Sequence, residues 1–275
     1  MNNKQQHIRI QRFENGTLDD NDDAVSVEEP LEIQVEFGPA ADRKVQSLSI
    51  TMRTPGNDDE LAIGFLFTEG IVHKKEDVLS AKHVQTLQGM SSNYIQVLLN
   101  PELNFNPAQL QRNFYTTSSC GVCGKSSLDS VKTQMPGKSG KMLPTLSPEL
   151  IISFPKILRE QQETFETTGG LHASGLFDTA GNLLYLREDV GRHNALDKLI
   201  GRALMDGKTP LDEYILLLSG RASFELMQKA GMAGISLVCA VGAPSSLAVE
   251  CAKEFSITLI GFLRENRFNI YSGSL

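Results

Sequence analysis

Residues 213–263 read EYILLLSG RASFELMQKAG MAG ISLVCAVG APSSLAVECAKEF S ITLIGFL, and this stretch decides the fold. Three apolar runs of strand length (215–218, 235–241 and 257–263) lack the polar alternation of a strand with one wet face. The first two each end in a turn bearing Gly or Ser, and each turn opens a stretch with helical spacing. Continuous apolar strands joined through helices belong to parallel strands covered on both faces. ITLIGFL closes this sheet, and RENRFNIYSG follows as a tail.

Working upstream, ASGLFD and NLLYLRED flank the turn TAG as a hairpin, and GRHNALDKLIGRAL carries a helical stripe of Leu196, Leu199, Ile200, Ala203 and Leu204. Ser147 and Pro148 open another helix as N-cap and first helical residue, with Ile151, Phe154 and Leu158 on one face and a kink expected at Pro155. Residues 146–275 are therefore predicted to form a three-layer α/β domain. Before it, LEIQVEF and SLSITM alternate as strands, and NDDELAIGFLFTEG has Asn57 or Asp58 as N-cap of a short helix. HVQTLQ and NYIQVLLN form a hairpin, which completes a small α/β domain over 31–114. Residues 115–145 hold a Cys-bearing loop and a linker, QMPGKSGKMLPT.

The chain has 275 residues, 26 Lys plus Arg, 33 Asp plus Glu and a formal charge of −7, which argues against a nucleic-acid coat or a polybasic membrane-surface protein. Nine of the acids lie in residues 14–36, where Lys and Arg are absent; without them 24 acids face 26 bases, a formal +2. Residues 1–30 accordingly read as an acidic, mobile arm. Four cysteines are too few for a secreted disulfide scaffold, and no apolar run spans a membrane or forms a signal core. A soluble protein of a reducing compartment is expected.

Cys120-Gly-Val-Cys123 is the sharpest local feature. Small residues surround it, the flanking glycines allow close approach to the sulfurs, and Lys125 favours the thiolate. A dithiol redox site, half a zinc site, a sulfur-relay cysteine and a structural pair all remain open. Zinc needs four ligands. Cys239 and Cys251 lie in apolar contexts, and His172 and His193 form no second close pair, so no metal is expected. A thioredoxin-type motif would follow a strand directly, whereas the preceding strand ends near Asn100.

Asp189, Gly191, Arg192 and His193 occupy one strand-to-helix turn; Ser219, Gly220, Arg221 and Ser223 occupy another; Gly242, Ser245 and Ser246 a third. In an open parallel sheet these turns line the ligand crevice, where helix N-termini suit phosphate and arginines add charge-assisted donors. Beyond the last predicted strand, Arg264 and Arg267 with Phe262, Phe268 and Tyr271 suit a phosphate beside a heterocycle. No G-x-G-x-x-G is present, and GKSS at 124–127 lacks the upstream Gly of a P-loop because position 119 is Ser. LHAS at 171–174 has Ser174 where a zinc deaminase needs its Glu, and no Pro-Cys-x-x-Cys follows.

Taken together and in this order, Ser119–Gly124, Glu188–Lys198, SGRAS at 219–223 and GFLR…R at 261–267 resemble the FdhD/NarQ family of formate dehydrogenase accessory sulfurtransferases. The resemblance runs from about Glu29 to the C-terminus. It implies a cytoplasmic homodimer whose larger domain has the cytidine deaminase fold. It implies a sulfur carrier: a cysteine desulfurase loads Cys120 as a persulfide, with Cys123 resolving, activating or assisting transfer. The sulfur then passes to the molybdenum cofactor, bis-molybdopterin guanine dinucleotide, before that cofactor enters formate dehydrogenase. The family's cofactor-binding stretch falls on Phe262, Leu263, Arg264, Glu265, Asn266 and Arg267, joined by the crevice residues Arg192, His193, Ser219 and Arg221. GDP is the expected fragment ligand. Members often carry a small residue where this chain has Glu265. A cofactor-binding chaperone without sulfur chemistry and a dithiol oxidoreductase are the competing possibilities.

Overall fold

The computed structural model describes residues 4–86, 89–106 and 143–275. The protein is mixed α/β. A six-stranded sheet runs in the order β12 (Arg267–Ser272), β11 (Thr258–Arg264), β10 (Leu237–Ala240), β9 (Ile215–Leu218), β7 (His172–Phe177), β8 (Leu183–Asp189). The three central strands β11, β10 and β9 are parallel, as their unbroken apolar runs require, and antiparallel strands flank them on both sides. Along β9, Ile215 and Leu217 face one core cluster and Leu216 and Leu218 the other. That double burial is why no polar residue interrupts the run.

One face of this sheet is covered by α2 (Pro148–Glu160), whose Ile151, Phe154 and Leu158 are buried, with Phe154 stacked on Phe177 at 4.4 Å. The Ser147 hydroxyl accepts from Leu150 N, as its cap position demands. A short α3 (Glu163–Thr168) follows, and the opposite face carries α4 (Arg192–Met205), α5 (Phe224–Met232) and α6 (Ser246–Glu254).

The small sheet has the order β4 (Lys44–Arg53), β3 (Glu29–Phe37), β6 (Gly89–Leu99), β5 (Val78–Thr86), with α1 (Asp58–Thr68) against it. Its core is continuous with that of the large sheet: Leu31, Ile33, Ile95, Leu61 and Leu66 share one cluster with Leu199, Leu216, Val238 and Leu259. Helices α1 and α4 meet backbone to backbone. A Cβ on Gly64 would lie 1.9 Å from Asp197 O, and one on Gly201 would lie 1.9 Å from Glu60 O. Only glycine at both positions permits this approach.

Two sequence expectations are corrected. The acidic arm is a hairpin, β1 (Gln5–Glu14) with β2 (Thr17–Ser26). Its acids face cations on the other strand, Arg9 to Asp20 at 3.5 Å and Arg12 to Asp23 at 4.0 Å, and Ser26 Oγ reaches Thr168 Oγ1 at 2.7 Å. The tail after ITLIGFL is a further strand, β12, whose polar–apolar alternation marks an edge strand. At α1, Asn57 holds the cap position with φ 56° but makes no side-chain cap bond. The Asp58 carboxylate instead grips the buried Arg53 guanidinium through two 3.0 Å bonds. The helix start is thus bonded to the strand before it.

Candidate functional site

The turns that leave β8, β9 and β10, together with the β11–β12 hairpin, lie along one edge of the large sheet. At the first, Asp189 is fully buried and accepts at every side. Its Oδ1 takes Gly191 N at 2.8 Å and Asn194 Nδ2 at 3.2 Å; its Oδ2 takes Thr54 N at 3.1 Å and Lys198 Nζ at 2.6 Å. Lys198 also donates to Thr54 O at 2.8 Å, and Asn194 to Met52 O at 2.7 Å. Asp189, Asn194 and Lys198 therefore bind the turn to the small sheet, while Arg192 and His193 between them remain partly exposed at the N-terminus of α4.

At the second turn, Ser219 Oγ accepts from Ala173 N at 2.8 Å, which fastens β9 to β7. Arg221 is exposed, and its backbone lies against the third turn: a Cβ on Gly242 would sit 2.9 Å from Arg221 N and Cα. Gly242 N donates to Gly220 O at 2.8 Å and Ser245 N to Ala222 O at 3.0 Å, so the second and third turns form one surface. Ser245 caps α6 by accepting from Ala248 N.

The Phe262–Arg267 stretch joins this surface. Phe262 N donates to Gly242 O at 3.0 Å, and the residue sits in the left-handed region, φ 52°, with its ring exposed. The Arg264 guanidinium folds over the third turn and donates to Val241 O at 2.6 Å and to Leu263 O at 3.0 Å. Arg264 and Arg267 are register partners that close a turn made of Glu265 and Asn266, all four exposed. Leu263 is fully buried in the cluster under α2 and its carbonyl is taken by Arg264, so it offers a ligand no contact here.

The structure thus places Arg192, His193, Ser219, Arg221 and the exposed residues of 262–267 along a single edge. It adds Glu225, whose Oε2 lies 3.8 Å from His193 Nε2. Burial works against ionisation of Glu225, but His193 and the residue's own backbone N–H outweigh it and hold the carboxyl at about 2. Its folded value lies below the ordinary 4.5, so its stabilisation is complete above that pH and is lost as pH falls toward 2. Glu225→Gln should flatten that part of the acid-unfolding curve, which circular dichroism can follow.

Cys120 and Cys123 lie outside the described residues. Burial pushes the thiols of Cys239 and Cys251 up, the latter to about 12, so neither supplies a thiolate at neutral pH. Among the described residues no group of three or more His, Cys, Asp or Glu could hold a metal ion, and no helix is long and apolar enough to cross a membrane.

The sequence profile of the FdhD/NarQ family matches residues 26–275. The chain belongs to that family. Among its FdhD/NarQ relatives, the "Sulfur carrier protein FdhD" of Streptomyces avermitilis is 47% identical over 96% of this chain and 93% of its own. Proteins of the same name from Mycolicibacterium paratuberculosis and Sulfurisphaera tokodaii are 50% and 43% identical, over 90% and 96% of this chain and 89% and 96% of their own. The fold matches the crystal structure of a proposed formate dehydrogenase accessory protein from Desulfotalea psychrophila, with a TM-score of 0.73, 22% identity and 98% of each chain covered. The Glu188–Lys198 motif of this FdhD/NarQ chain divides its labour: Asp189, Asn194 and Lys198 brace the turn, and Arg192 and His193 stay partly exposed at the start of α4.

Proposed function

We propose that the protein is a cytoplasmic sulfur carrier that serves formate dehydrogenase by handing sulfur to the molybdenum cofactor, here a substrate, and that it works as a homodimer. Membership in a family whose curated relatives are named sulfur carrier proteins carries this proposal. The strand-end crevice supports it, with Arg192, Arg221, Arg264 and Arg267 offering charge-assisted donors to a multiply phosphorylated ligand.

In the loading step the Cys120 thiolate attacks the terminal sulfur of a cysteine desulfurase persulfide. A Cys120 persulfide forms and the desulfurase thiolate leaves, with no net redox change. Releasing that sulfur as sulfide needs two electrons. The Cys123 thiolate supplies them by attacking the Cys120 sulfur, which leaves a Cys120–Cys123 disulfide that a cellular thiol reduces.

Incubation with a desulfurase and cysteine, followed by intact mass spectrometry, should add one sulfur atom, and Cys120→Ala should abolish the adduct. A wild-type protein that acquires no sulfur defeats the proposal. If Cys120→Ala still supports maturation of formate dehydrogenase while Arg267→Ala does not, the protein is instead a cofactor chaperone.

A further inference from the structure

On β7 and at the starts of α4 and α5, the scaffold leaves several buried polar atoms without hydrogen bonds. Ser174 is 1% exposed, and its hydroxyl makes no hydrogen bond. It shares a face of β7 with His172 and Leu176, toward α4, while Ala173 and Phe177 face α2. Arg192 Nε, His193 Nε2 and Ser223 Oγ are likewise buried and make no hydrogen bond, with the Glu225 carboxylate standing 3.8 Å from His193 Nε2. A buried polar atom left without a hydrogen bond is destabilising unless something meets it, and all four are able to donate.

The charges around them favour an anion. His172, on β7, faces Arg192 and His193 from α4 and Asp189 from β8. Asp189 is already matched by Lys198 at 2.6 Å, and Glu225, from α5, lies 3.8 Å from His193. Arg221 lies exposed on the turn after β9, and Gly220 packs flat on the imidazole, with a Cβ there only 3.2 Å from His172 Nδ1. Helices α4 and α5, of 14 and 9 residues, begin at this place and add their positive ends.

We infer that this end of the crevice is a subsite for a tetrahedral dianion, a phosphate group of the ligand, held by Ser174, Arg192, His193 and Ser223, with His172 taking up a proton as it binds. It rests on the crevice proposed above and adds His172, Ser174 and Ser223 to it. In the free protein, burial first, then Arg192 and His193, hold His172 below its ordinary 6.5, so it is neutral at pH 7. A bound dianion reverses the sign of the field and favours the imidazolium.

The test is a histidine-selective NMR titration of the full chain in chloride and in sulfate at equal ionic strength. Sulfate stays a dianion across this range and so contributes no titration of its own. Sulfate should raise the His172 midpoint by about one pH unit or more, with the resonance assigned by its loss in His172→Gln, and Arg192→Gln should shrink the rise. In chloride the protein should lose stability as pH falls through 6.5, because the fold disfavours the protonated ring, and sulfate should offset the loss. An unmoved His172 midpoint overturns the subsite. If GDP binds by calorimetry while that midpoint stays put, the subsite fails and the crevice stands; if GDP does not bind either, the crevice fails with it.

Discussion

Replacing Gly201 by alanine should lower the unfolding free energy by about 3 kcal/mol, a large share of a domain's total. The new methyl would stand 1.9 Å from Glu60 O and 2.8 Å from Gly64 N, both backbone atoms of α1 that no rotamer change can move. Relief requires α1 and α4 to separate, and that separation opens the core both sheets share. Gly64→Ala meets Asp197 O in the same way and should cost a similar amount. Because either change parts the helices, the double variant should cost clearly less than the two singles added. Urea unfolding of the three variants decides this, and a loss under about 1 kcal/mol for Gly201→Ala would show that the helices tolerate the gap.

Lys198→Met should cost about 3–5 kcal/mol, because it strips the buried Asp189 carboxylate of its only counter-ion among the described residues. The remaining donors, Gly191 N, Asn194 Nδ2 and Thr54 N, are neutral. Adding Asp189→Asn to Lys198→Met removes the uncompensated charge and should recover much of the stability. Equal stability of the single and double variants would refute this account. GDP binding should also weaken in Asp189→Ala, since that carboxylate fixes the turn carrying Arg192 and His193.

How far these features could be read in advance follows from their range. The parallel strands β9, β10 and β11 were legible because double burial writes itself into consecutive residues. The Ile151, Phe154 and Leu158 face was legible because helical spacing is local. The β1–β2 hairpin was not: nine clustered acids suggested a solvated arm, and the charges that pair with them sit across the turn on Arg9 and Arg12. Strand β12 was hidden because an edge strand alternates like a polar tail. At the site, arginines at strand-to-helix turns suggested a crevice, whereas nothing in the sequence paired Asp189 with Lys198. No sequence signal joined His193 to Glu225, because that meeting depends on strand order.

The glycine contact between α1 and α4 also bears on how the chain is made. Synthesis delivers α1 and the small sheet long before α4 leaves the ribosome, so the apolar side of α1 must wait for its partner. A chain whose early and late segments close on one another folds slowly and leaves apolar surface exposed meanwhile. Nascent chains that end before Gly201 should therefore engage chaperones and yield to protease, and resistance should arrive abruptly once the second glycine is in place.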